Sequence, residues 1–150
     1  EIIDSCEIRF PQANVSIHQS TYNNTFLLGG IVGVHSGCNL FINNCEIQWT
    51  ERDSECIALT DYHGSYSSRH SYVFVGGIIG YSYKTVIFNG NILLDGNLDY
   101  TGSIDYLKKI CGRTTGSINA TNATLNTTNL TIRKRTYTYS STWTTINDLY

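Results

Sequence analysis

A glycine-rich unit occurs twice in the chain, and it restricts the available folds more than any other feature. Phe26-Leu27-Leu28-Gly29-Gly30-Ile31-Val32-Gly33 is followed by Leu40-Phe41-Ile42-Asn43-Asn44-Cys45-Glu46-Ile47. Phe74-Val75-Gly76-Gly77-Ile78-Ile79-Gly80, within the stretch Tyr72 to Leu94, is followed by Ile87-Phe88-Asn89-Gly90-Asn91-Ile92. Such glycine density disfavours a helix, where each Gly costs about 1 kcal/mol relative to Ala. The same residues suit two strands around a corner. Ile31 and Ile78 then point inward, and glycine lets the backbone bend or a neighbouring segment approach. A repeated unit of this kind stacks its copies.

Two partial copies extend the pattern. Residues 1–10 match residues 40–49, which aligns Cys6 with Cys45. Ile110-Cys111-Gly112 falls on Ile31-Val32-Gly33 and on Ile78-Ile79-Gly80, with Lys108-Lys109 where the other copies have Gly-Gly. Behind it, residues 117–122 fall on the Asn-containing halves with one slip. This alignment puts Asn43, Asn89 and Asn119 at one register, as an inward ladder whose amides bond at the strand spacing of about 4.8 Å. Unequal spacing between copies fits loops inserted on a constant scaffold.

These residues resemble the glycine-rich, GLUG-type repeats of right-handed parallel β-helix surface proteins. The resemblance covers residues 26–49 and 72–94, and more weakly 1–10 and 110–122. It implies an all-β fold, a right-handed parallel β-helix (β-solenoid) with loop insertions and a strand-like C-terminal tail. It also implies a secreted or displayed protein of adhesive or structural type. The alternative fold is an antiparallel β-sandwich with related hairpins, which also yields short strands between turns.

The remaining segments are read around this scaffold. Residues 11–25 form a surface excursion with a short strand at Val15 to Ile17. Residues 50–71 form a long polar loop with a short strand at Cys56 to Leu59. Asp95 to Asp99 is a turn, and Ile104 to Ile110 contains the one candidate helical turn. The repeats occupy residues 1–122, and residues 123–150 make a strand-rich Thr/Tyr tail. In the tail Tyr137, Tyr139 and Trp143 share a face, opposite Thr136, Thr138 and Thr142. It either closes its own repeat stack or pairs along a neighbouring molecule.

The net charge is -2 and the charged fraction 15%. No global field draws nucleic acid or an anionic membrane, so neither is an expected partner. No apolar run approaches the length of a membrane-spanning helix. With no Met anywhere, Glu1 starts a mature product, a fragment or a sequence of undetermined start. Six Asn-x-Ser/Thr sequons stand at Asn14, Asn23, Asn119, Asn122, Asn126 and Asn129. They point to covalent N-glycans and a secretory route. Five cysteines with no CxxC and no His-spaced partner suit an oxidising compartment. Cys6 with Cys45, and Cys38 with Cys56, are the disulfide candidates; Cys111 is left over, as a buried small residue or an intermolecular link.

No catalytic, cofactor or metal site is assigned. Asp95 with Asp99 is the candidate carboxylate pair, and Asp61 with His63 the candidate acid–base pair. Each has a plain reading as a turn or a polar loop. Tyr62, Tyr66, Tyr72, Tyr81 and Tyr83 offer rings for stacking on sugar or protein. The favoured function is a structural subunit of a secreted, N-glycosylated filament or surface coat, its partner a further copy joined head to tail. Such an open heterologous contact generates filaments. The alternatives are a fragment of a cell-surface adhesin or carbohydrate-binding β-helix and, behind these, a polysaccharide-active enzyme.

Overall fold

A computed structural model describes residues 1–9, 14–19, 25–49, 57–63, 72–102, 106–136 and 140–150. For 14–19, 57–63 and Tyr72 only the backbone is described. The described residues are all-β with no helix. Their strands fall into four passes. The first is β1 (Ile2–Asp4), β2 (Glu7–Arg9) and β3 (Asn14–Gln19). The second is β4 (Thr25–Gly29), β5 (Val32–His35), β6 (Leu40–Asn43), β7 (Glu46–Gln48) and β8 (Ile57–His63). The third is β9 (Tyr72–Gly76), β10 (Ile79–Ser82) and the long β11 (Val86–Thr101). The fourth is β12 (Tyr106–Lys108), β13 (Cys111–Thr114), β14 (Ile118–Asn126) and β15 (Leu130–Arg135), after which β16 (Thr144–Ile146) follows.

Each strand pairs in parallel with its counterpart in the next pass. β4, β9 and β12 form one sheet, and β5, β10 and β13 a second. β11 is flanked by β6, β7 and β8 on one side and by β14 and β15 on the other. Every pairing between passes is parallel, and β15 with β16 is antiparallel. Hairpin-built sandwiches pair antiparallel, so this alternative does not describe the chain.

The expected register of the glycine units is met residue for residue. Ile79 lies opposite both Val32 and Cys111, and Gly76 lies opposite both Gly29 and Lys108. Ile78 is fully buried and Ile31 partly buried against the core. Rows of apolar side chains run from pass to pass, as in Ile3, Ile42 and Phe88, or Ile8, Ile47 and Leu94. Ile42, Phe88, Ile47 and Leu94 are completely excluded from water. Each such side chain stabilises the fold by about 1.5–3 kcal/mol.

Glycine is required where β4 and β9 approach β5 and β10. A Cβ on Gly76 would lie 2.1 Å from the Ile79 carbonyl oxygen, and one on Gly29 2.1 Å from that of Val32. No side chain fits there, and the same two-pass spacing explains why the unit is repeated so closely. A second corner recurs at Ser5, Asn44 and Gly90, all with positive φ. These residues follow the paired Asp4, Asn43 and Asn89. Asn tolerates that conformation better than most residues, and Gly adopts it freely.

Four local expectations change. The Asn row runs through Asn43, Asn89 and Asn122, because a register shift places Asn119 opposite Ile87. The row also faces away from the core: Ile42 and Phe88 are buried while Asn43 and Asn89 alternate outward and are half-buried. Asp95 to Asp99 is no separate turn but part of β11, whose neighbours on both sides hold it extended through Gly96 at φ +104°. Within 104–110 the described residues 106–108 form β12 rather than a helical turn. β14 spans Ile118–Asn126, and β15 completes the fourth pass.

The end of the chain closes that pass. The Asp148 carbonyl accepts from Lys109 N–H at 2.9 Å, and the Leu149 carbonyl accepts from Ile110 at 2.9 Å and Cys111 at 3.2 Å. Leu149 and Ile146 pack against the core. A Lys108–Asp148 ion pair at 2.7 Å adds to the closure and holds the Asp148 carboxyl below its ordinary range, chiefly through that hydrogen bond.

Candidate functional site

The densest group of recognition-type side chains lies where β9, β10, β12 and β13 meet. Register brings Phe74 opposite Tyr106, and Tyr81 opposite Arg113. Phe74 stacks on Tyr81 with centroids 5.1 Å apart and meets Tyr106 at 4.8 Å. Tyr83 stands edge-on to Tyr81 at 4.4 Å. The Arg113 guanidinium lies 4.6 Å over the Tyr106 ring and donates to the Tyr106 hydroxyl at 3.0 Å. Phe74 and Tyr81 are buried, Tyr106 and Arg113 half-buried, and Tyr83 is 52% exposed. The result is a packed aromatic floor with one exposed ring and a hydrogen-bonded cation beside it. Such a surface can stack on a sugar ring or a planar group. Of the five tyrosines singled out in the sequence, Tyr81 and Tyr83 meet here. Tyr62 and Tyr72 are described by backbone only, and Tyr66 lies outside the described residues. Phe74, Tyr106 and Arg113 were missed in the sequence because alignment of the copies does not say which side chains converge between two sheets.

A second polar group joins β5 to β10. Buried His35 has Nδ1 2.8 Å from Ser82 Oγ and Nε2 2.6 Å from the Cys38 carbonyl oxygen. Glu1 Oε2 is 3.8 Å from Nε2. The order carboxylate, imidazole, hydroxyl resembles a nucleophilic relay, but Ser82 has no exposed surface. Its hydroxyl donates to the Lys84 carbonyl oxygen at 2.8 Å and accepts from Lys84 N–H at 3.3 Å. A hydroxyl enclosed in this way ties the Ser36–Cys38 turn to the sheet and meets no substrate. The adjoining open cleft of about 430 Å³ is lined by Glu1, Ile3, Val32, Val34, His35 and Leu40 among others.

The candidate carboxylates are not brought together. Asp95 and Asp99 are four residues apart on β11, about 13 Å along a strand. That exceeds the separation of a glycosidase pair, about 5–9.5 Å. Asp99 is also held by Arg133 through two bonds of 2.8 and 2.6 Å. Asp61 and His63 lie in β8, where only the backbone is described. Among the described residues no group of His, Cys, Asp and Glu is arranged to hold a metal ion, and no helix is long and apolar enough to cross a membrane.

Cys6 falls between Asp4 and Glu7, and Cys45 between their partners Asn43 and Glu46, so the two cysteines sit opposite each other as expected. Their thiols are unbonded in this structure, as are those of Cys38 and Cys111, and Cys56 lies outside the described residues. Burial pushes the Cys45 thiol up and the Cys111 thiol up to about 11. Among the sequons, Asn119, Asn122, Asn126 and Asn129 are all exposed. Asn14 is described by backbone only and Asn23 lies outside the described residues.

Of the expected assembly residues, Trp143 is engaged within its own chain. Its ring lies 4.9 Å from the Arg133 guanidinium and 4.5 Å from that of Arg135. Arg135 also donates to Thr101 Oγ1 at 3.0 Å and to the Ser140 carbonyl at 3.2 Å. Tyr137 and Tyr139 lie outside the described residues. Comparison with known proteins leaves these features to stand alone: no family model, no curated protein and no solved structure matches the chain.

Proposed function

We propose that the chain is a right-handed parallel β-helix module of a secreted, N-glycosylated cell-surface protein, with an adhesive rather than a catalytic role. The coils supply a stiff scaffold, and the surface around Tyr83, Tyr106 and Arg113 supplies the contact. Its ligand class is carbohydrate: Tyr83 stacks on a pyranose face while Arg113, held over Tyr106, meets a hydroxyl or acidic substituent. The exposed Tyr83 ring, set edge-on to Tyr81, is the observation that carries this reading. The glycine-rich repeat resemblance and the sequon cluster support the surface location.

The test is a glycan array probed with the secreted protein and with Tyr83→Ala and Arg113→Ala. Binding to a defined glycan class that both variants weaken at least tenfold supports the proposal. Binding unaffected by both, or none at all, contradicts it.

A second reading, the head-to-tail filament subunit, is favoured by one observation. β1, β4 and β5 each pair on one side only among the described residues. Against it stands the tail, which occupies the opposite end. A further copy stacks over Lys109 to Cys111 and β15 only after residues 144–149 leave their seat, although the β14 edge stays uncovered by the tail. Sedimentation as a monomer with the tail intact, and as polymers after deletion of residues 140–150, would support the filament. Monomers in both cases would eliminate it.

A further inference from the structure

The four clustered sequons all fall on one structural feature. β14 is the edge strand of the fourth pass and pairs with β11 alone among the described residues. Ile118, Ala120, Ala123 and Leu125 face the core, while Asn119, Thr121, Asn122, Thr124 and Asn126 are exposed. Asn129 is exposed in the turn that follows. Other parts of this end are already covered. Residues 148 and 149 satisfy Lys109 to Cys111, and β16 covers β15. An unpaired strand edge is a template for pairing with another chain, and native proteins cover or obstruct it.

We propose that N-linked glycans at Asn119, Asn122, Asn126 and Asn129 are the guard of the β14 edge, and that the partner they exclude is the first pass of a second copy. The inference rests on the secretory reading above, since glycan transfer needs that route. Local geometry suits the modification. The Asn119 side-chain oxygen accepts from Thr121 N–H at 3.0 Å, and that of Asn126 from Thr128 N–H at 3.2 Å. Each bond lies within its own sequon, fixes the side chain through Oδ1 and leaves Nδ2 for the sugar. There Nδ2 bonds to the anomeric carbon of a lipid-diphosphate-linked oligosaccharide. The diphosphate departs with the bonding electron pair, and the amide loses one proton. The attached sugar is far wider than the 4.7–4.9 Å that separates neighbouring strands. A strand seeking to add beside β14 meets it.

Charge identifies the excluded partner. Between residues 106 and 136 lie Lys108, Lys109, Arg113, Arg133, Lys134 and Arg135, six of the ten basic residues, and no Asp or Glu; Lys108 pairs with Asp148 and Arg133 with Asp99, so the excess positive charge rests on the other four. The first pass carries Glu1, Asp4 and Glu7 against the single Arg9. Among the described residues β1 and β2 have partners on one side only, and their spacing already matches β6, β7 and β11 within the chain. A second copy therefore presents an acidic strand edge to a basic end.

The experiment uses the full chain secreted from a eukaryotic host. One variant carries Asn119→Gln, Asn122→Gln, Asn126→Gln and Asn129→Gln. Another keeps every Asn and carries Thr121→Ala, Thr124→Ala, Thr128→Ala and Thr131→Ala. Mass spectrometry reads occupancy, circular dichroism reads folding and sedimentation velocity reads size. The wild type is expected to be occupied and monomeric. Whichever variant folds is expected to form dimers or larger species, reduced by adding Asp4→Asn and Glu7→Gln. Empty sequons in the wild type overturn the guard together with the secretory reading. Occupied sequons and monomeric, folded variants overturn the guard alone. Assembly unchanged by Asp4→Asn and Glu7→Gln overturns the assignment of the partner.

Discussion

The side-chain amide of Asn89 donates to the side-chain oxygen of Asn43 across 2.8 Å, joining the third pass to the second at the same register. Just beyond it, Asn44 Oδ1 accepts from Asn91 N–H at 3.2 Å and fills the space in which a Cβ on Gly90 would sit 2.0 Å away. The corner thus closes through a side chain of one pass and a glycine of the next. Gly90→Ala is expected to cost about 1–3 kcal/mol, from overpacking and from the lost freedom at φ +68°. Urea denaturation of the variant measures it.

The crease between β9 and β10 is less forgiving. Gly76→Ala places a methyl against three backbone atoms of other residues, the nearest 2.1 Å away. None is the end of a flexible side chain. Loss of at least about 3 kcal/mol, or failure to fold, is expected. Gly33→Ala is the control, because its Cβ would meet the Leu27 carbonyl at 3.4 Å, an ordinary contact. Thermal unfolding should separate the two variants clearly.

Core burial predicts a different contrast. Phe88→Ala removes a fully buried ring and is expected to cost about 3–5 kcal/mol. Ile2→Ala truncates a side chain 72% exposed and should stay within about 0.5 kcal/mol.

The tail should loosen under two independent changes. Trp143→Ala removes two cation–π contacts worth about 0.5–1 kcal/mol each. Faster amide exchange is expected at Lys109, Ile110 and Cys111, whose N–H groups the tail accepts. Acid does the same through Asp148. Its folded pKa lies below the unfolded value, so its contribution is present above the unfolded value and lost as pH falls through the folded one. Exchange at those three amides should therefore rise below the ordinary carboxylate range, and Asp148→Asn should remove that pH dependence.

Thiol chemistry should divide by burial. Cys38 is exposed, whereas Cys111 is buried with a pKa near 11. At pH 8 iodoacetamide should label Cys38 quickly and Cys111 only on unfolding. Because the unfolded thiol ionises near 9 and the folded one near 11, the unfolded chain binds fewer protons between these values. Stability should fall with rising pH across that window.

Stacking made part of this fold readable from the residues. Parallel passes in register demand similar residues at paired positions, and so Ile79 could be matched to Val32 and Cys111 by sequence alone. One slip within residues 117–122 was legible too, but not its place before Asn122, since an extra residue leaves the composition of the strand unchanged. The seat of Trp143 was hidden for another reason. A Thr- and Tyr-rich tail has the same alternation whether it pairs with its own chain or another. The Phe74, Tyr106 and Arg113 surface was not read, because alignment of the copies pairs neighbours within one sheet and does not say which side chains converge between two sheets.

Backbone nuclear Overhauser contacts of Ile79 test the central arrangement most directly. The account predicts parallel-strand contacts from Ile79 to Val32 on one side and to Cys111 on the other. Antiparallel contacts to a neighbouring hairpin strand, or contacts to neither residue, would contradict it.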